Sequence, residues 1–276
     1  MIYRVIKKQT IMKKYVGLFM LAAVAFGGCK KEGCTDQTAL NYDSNIETDD
    51  GSCVYVVQNF NVSVHSKMGT QDFDYNTEVT TQSGRKVKFT RVQMYMGAFT
   101  FNGASGQTLV EDSYMLVKPE VTSYSAGYLP EGTYDTFSFM TGVDSISNHA
   151  DPATFEATSA LSSNNPDHMH WGWDPGYIFY VLEGDVDTSA GMNGIVDAPF
   201  IFHVGTDMHT VDLAFVQQVV SETESASIAL EIDWLKLLDG TDMNGDTDTR
   251  STHTMNNPPL AALMVSNIDE AISLHQ

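Results

Sequence analysis

Beyond residue 56, apolar and polar residues alternate along the chain with a period of two. In NFNVSVH (59–65), Phe60, Val62 and Val64 fall on one side and Asn59, Asn61, Ser63 and His65 on the other. Successive side chains of a strand point to opposite faces, so this reads as a half-buried strand. The same alternation predicts strands over 86–101, 114–118, 132–140, 176–184, 199–205, 210–216 and 227–233. Turn residues separate them at Ser83-Gly84, Asn102-Gly103, Pro130-Glu131-Gly132 and Glu183-Gly184. Many short strands without intervening helices predict an all-β domain over 56–276, built as an antiparallel β-sandwich. The tail departs from this pattern. Residues 256–274 begin with an Asn cap and prolines and carry Leu260, Leu263, Met264, Ile268 and Ile272 at helical spacing, which predicts a short C-terminal helix. A shorter helix is expected over 233–238, ending before Gly240, with the polar loop 241–255 between the two.

The first 55 residues follow neither period. Residues 12–29, MKKYVGLFMLAAVAFGGC, join a lysine pair to an apolar run, small residues and a cysteine. The run is too short to span a bilayer with margin and reads as a signal peptide over 1–28, with Met12 the better start. Phe26-Gly27-Gly28-Cys29 resembles a bacterial lipobox, with Phe where Leu is usual. Cys29 is then the lipidated residue, and the expected location is a membrane-anchored lipoprotein of the periplasm or outer surface. Residues 29–55 form a spacer rich in turns and acids. Its two other cysteines, Cys34 and Cys53, are an even pair in an oxidising compartment, so a disulfide is expected. This segment resembles a GCTD…NY…DDGSC module of secreted Bacteroidetes proteins. The oxygens of Asp36, Asn41, Asp43, Asn45, Asp49 and Asp50 could hold calcium there, or the segment is simply a stapled, solvated spacer.

Charge narrows the function. The chain carries 35 acidic and 15 basic residues, net −20, and cleavage after residue 28 removes five basic residues and no acidic one, giving −25. Such a surface repels phosphate backbones, so nucleic acid is excluded as a partner, and it favours cations. No G-x-S-x-G, no H-E-x-x-H, no phosphate-binding loop and no uncommitted cysteine is present, so a non-enzymatic role is expected.

Candidate chemistry concentrates in 168–177, HMHWGWDPGY, which holds two of the eight histidines and two of the three tryptophans. Extended, it would set His168 and His170 on one face about 7 Å apart, within reach of one ion. Trp171 and Trp173 would share the other, core-facing side. His-x-His alone is weak evidence, since exposed strand histidines are common. His65 ends a polar strand face, His203 interrupts the apolar FIFHVG, His209 sits at a turn and His253 lies in an acidic loop. A site drawn from His65, His168, His170, His203 and His253 would be an imidazole site, suited to copper or zinc. Met94, Met96, Met140 and Met264 read as core fillers rather than soft ligands. A second reading is a calcium-stabilised surface module, supported by Asp242, Asn244, Asp246 and Asp248 at alternate positions, although the EF-hand glycine and terminal Glu are lacking.

The order of segments also resembles the MbnP-like family, named for the methanobactin-associated periplasmic copper-binding protein. The resembling stretches are VSVHSKMGTQDF, GRKVKFTRVQMYMGAFTF, YDTFSFMTGVD, HMHWGWDPGYIFYVLEG, FIFHVG and HTMNNPPLAALMVSNIDEAI, spanning roughly 58–274. The specific part is W-x-W…GY…LEG followed by F-x-F-H-x-G. The resemblance implies an exported β-sandwich that binds copper. It also implies a tryptophan, here Trp171 or Trp173, open to oxidation to kynurenine by a di-haem peroxidase-like partner. Of the two, Trp171 beside His170 is the better choice.

Overall fold

In the computed structural model, β1 (Val57–Met68) buries Phe60, Val62, Val64 and Met68 and turns Asn59, Ser63 and His65 outward. The structure describes residues 31–275 apart from 38, 56, 105, 111–112, 173–174 and 223–224. The signal peptide, Cys29 and Trp173 therefore lie outside the described residues. After β1 come β2 (Lys86–Gly103), β3 (Ser123–Pro130), β4 (Gly132–Thr141), β5 (Ile178–Val186), β6 (Ala198–Gly205), β7 (Val211–Ser221), β8 (Ser225–Asp233) and β9 (Ile272–Leu274).

Two sheets form the sandwich. The larger runs β7-β4-β2-β5-β6 and ends on the short strand Ser251–Thr252, with three further short strands paired to β2. The smaller runs β9-β8-β1, with β3 and Gln71–Asp72 also on β1. Phe60 of β1 closes the gap between them. Its ring meets Phe99 and Phe101 of β2 edge-on, at 5.2 and 5.0 Å between centroids, the arrangement that the ring quadrupole favours. All three rings are buried.

The all-β sandwich agrees with the alternation, but the sheets are not wholly antiparallel. β8 runs parallel to β1 from Ser225↔Asn59 to Asp233↔Lys67, and Ser251–Thr252 is parallel to β6. The physical reason is connectivity. β1 opens the smaller sheet, the chain then builds the larger one, and β7 hands over to β8, which re-enters beside β1 after a long excursion. Parallel pairing requires such a crossover and cannot be made by a hairpin.

The C-terminal segment is helical over α1 (Pro258–Ser266) and α2 (Ile268–Ala271). The Asn257 side chain caps the first by accepting from the Leu260 N–H, with Pro258 at the first helical position. The helix stops earlier than its spacing predicts. From Ile272 the chain extends as β9 and pairs antiparallel with β8, Ile272 against Ile232. The predicted helix over 233–238 is a single 3-10 turn, Lys236–Leu238.

In the spacer, Cys34 and Cys53 form the expected disulfide. Its carboxylates serve as turn residues: Asp43 accepts from the Asn45 N–H, Asp49 from Gly51 and Asp50 from Ser52, while Asp36 accepts from the Tyr55 hydroxyl. In the loop after Gly240, Asp242 faces Arg85, Asn244 accepts from the Asp246 N–H, and Asp246 from Asp248.

Candidate metal centre

The structure distributes the five candidate histidines over three places. His65 lies on the smaller sheet, His203 on the larger one with His253 beside it, and His168 and His170 on the segment leading into β5.

Among the described residues of 168–177 no strand forms: His170 and Tyr177 pair in one isolated bridge, and the chain turns at Gly172, whose φ is 120°. Met169, between the two histidines, and Tyr177 are buried, and the Met169 N–H donates to the Tyr95 hydroxyl. Trp171 is half-buried rather than part of the core, and the turn at Gly172 ends any regular alternation. The ring nitrogens are also partly committed. His168 Nδ1 donates to the Asn165 carbonyl at 2.8 Å, and His170 Nδ1 accepts from the Gly172 N–H at 2.9 Å. A neutral His170 therefore carries its proton on Nε2. Burial, then the neighbouring His168, depresses its pKa. The pair is not set to share an ion without breaking the Gly172 bond.

The larger sheet offers more. His203 on β6 and Glu183 on β5 share the outer face, and Nε2 of His203 lies 2.8 Å from Oε1 of Glu183. A carboxylate only accepts, so Nε2 bears the proton, and in a neutral ring Nδ1 keeps its lone pair. Burial favours that neutral ring: it lowers the His203 pKa against the opposing pull of Glu183. A carboxylate that fixes tautomer and orientation in this way is the usual support of a metal-ligating histidine. The Arg91 guanidinium also contacts Glu183, at 3.3 Å, which commits that carboxylate to positioning. The His253 ring stands edge-on to His203 with centroids 4.9 Å apart. Thr254, the next residue, ties it to β6: its hydroxyl donates to the His203 carbonyl and accepts from the Gly205 N–H.

Trp171 completes this face. It is half-buried, and its indole covers Gly205, two residues beyond His203 and therefore on the same side of β6. A Cβ at Gly205 would lie 2.4 Å from the Tyr177 carbonyl and 2.8 Å from the indole, so only glycine permits this approach. The W-x-W, LEG and F-H-x-G segments thus meet at one surface through Trp171, Glu183 and His203. Glu183 was not among the predicted site residues, although its place in LEG, next to FIFHVG, was a signal for it. His209, read as a turn residue, is buried, with Nδ1 donating to the Gly205 carbonyl at 2.6 Å.

His65 has other company. Glu231 of β8 is its lateral neighbour, and the ring of His275, just after β9, lies 4.7 Å from it at a tilt of 44°. Neither was predicted. Among the described residues, His65, Glu231 and His275 are the one set of His, Cys, Asp or Glu side chains that brings three ligand atoms within 4.8 Å.

MbnP from Methylosinus trichosporium has a similar solved structure, with a TM-score of 0.51 over 74% of this chain and 87% of that one at 14% identity, a likeness that speaks for the fold. No curated protein matches the chain significantly. The MbnP family model matches residues 57–256, the whole sandwich up to α1, and the chain belongs to the MbnP family.

Proposed function

We propose that the protein is an exported, lipid-anchored copper-binding protein that captures the ion without catalysing a reaction, and that His203 and His253 hold it. The observation that carries this reading is the Glu183–His203 contact, which leaves His203 Nδ1 as a free donor beside a second imidazole. The donor set fits copper: imidazole suits it, whereas calcium takes oxygen ligands. His170 is held in reserve by the Gly172 N–H on its Nδ1, and His168, whose Nε2 stays open, lies on the separate segment leading into β5. Three functions fall to the protein's own groups. Glu183 orients His203, burial keeps the ring unprotonated, and the acidic surface raises the local concentration of cations. Half-buried Trp171 over Gly205 is the tryptophan that a di-haem peroxidase-like partner would oxidise.

Metal analysis of protein prepared without chelators tests the reading, alongside intact mass for the tryptophan. Stoichiometric copper that disappears in His203→Ala/His253→Ala is the expected result. Protein that binds calcium and no copper would refute it.

A further inference from the structure

We infer that His65, Glu231 and His275 form a second metal site, for a divalent transition-metal ion of the zinc or copper class, on the opposite sheet from His203. It uses a residue, His275, outside the family-matched range 57–256.

Strand register builds the site. β1 and β8 run parallel with His65 opposite Glu231, and β8 and β9 run antiparallel with Glu231 opposite Ser273. His275 lies two residues beyond Ser273, on the same outward side, and its N–H donates to the Ala229 carbonyl at 2.9 Å. Three adjacent strand lines therefore each deliver one ligand to one patch.

The donor spacing suits an ion. Oε2 of Glu231 is 3.1 Å from Nδ1 of His65 and 3.5 Å from Nδ1 of His275. Donors held about 2.0–2.1 Å from a tetrahedral zinc ion lie about 3.3 Å from one another. The two histidine ligand atoms also lie within 4.8 Å of each other, and the His275 side chain, 43% exposed, has room to adjust.

The surrounding groups complete the arrangement. Asp72 Oδ1 sits 3.0 Å from His65 Nε2, so it holds the far N–H of the ring while Nδ1 faces the ion position, the carboxylate–histidine–metal pattern. Lys67 binds the other carboxylate oxygen, Oε1, and leaves Oε2 to the histidines. Two imidazoles and one carboxylate at a half-exposed position leave coordination open to water, as expected for an exchangeable ion.

The test is calorimetric titration of the protein with Zn2+ in a His203→Ala/His253→Ala background, which separates this site from the proposed copper centre. One equivalent should bind there. Adding His275→Ala, a half-exposed position whose loss should not unfold the sandwich, should weaken binding by on the order of 100-fold, and Asp72→Asn by about 10-fold. Zn2+ binding unchanged by His275→Ala, or no binding in the background protein, overturns the inference. Either result leaves the copper reading standing on its own test.

Discussion

Glu183 and His203 are joined across β5 and β6 by a 2.8 Å hydrogen bond that fixes which ring nitrogen carries the proton. Replacing the carboxylate by an amide lets either tautomer persist. Glu183→Gln should therefore fold normally and lose roughly 10- to 100-fold in copper affinity, the range for loss of a group that supports a ligand. Competitive titration against a chelator of known affinity reads the change.

Gly205→Ala addresses the same surface from the backbone. The new methyl would stand 2.4 Å from the Tyr177 carbonyl and force Trp171 away. The expected cost is about 1–3 kcal/mol, in the range of overpacking. It should appear as a lower denaturation midpoint together with a red shift of tryptophan emission, since Trp234 is fully buried and far less able to respond.

Phe60 holds the sheets together, so Phe60→Ala should destabilise the sandwich by about 3–5 kcal/mol. The cysteine pair should behave differently. Cys34→Ser/Cys53→Ser removes the main constraint on residues 34–53, worth about 3 kcal/mol to that segment. The sandwich core is a separate cluster. Limited proteolysis should show the spacer cut quickly while the melting temperature of the sandwich stays unchanged.

Without metal, the smaller sheet should show a pH signature. Hydrogen bonds to Asp72 and then Glu231 raise the His65 pKa, so that contribution is full below the unfolded value of about 6.5 and is lost as pH rises through the folded one. Lys67, ahead of His65, lowers the Glu231 pKa, so its contribution is present above the ordinary carboxylate range and is lost on acidification through the lowered value. The cluster is strongest in mildly acidic solution, between those limits. Urea midpoints of wild type and His65→Gln should differ most there and converge toward alkaline pH.

Sequence alternation revealed the sandwich because period two is a local property, and eight strands fall where it is strongest. β3 was missed: SYSAGYLP breaks the alternation with Gly127, which sits at positive φ. β9 was missed because Ile268 and Ile272 keep helical spacing, while pairing with β8 outweighs that preference. The site was legible only in part. His203, Trp171 and Glu183 all lie in motif segments, but only the adjacency of β5 and β6 brings Glu183 to His203. Glu231 and His275 join His65 through a parallel register that no spacing along the chain encodes. His168-x-His170 shows the converse: its short spacing is visible in the sequence, but the backbone hydrogen bonds made by its two Nδ1 atoms are not.

Electron paramagnetic resonance of one equivalent of Cu2+ added to His275→Ala protein tests the central claim most directly, because that background removes the second cluster. The account predicts nitrogen superhyperfine structure from two imidazoles, lost in His203→Ala/His253→Ala. The same bound-copper spectrum in that double variant would contradict it.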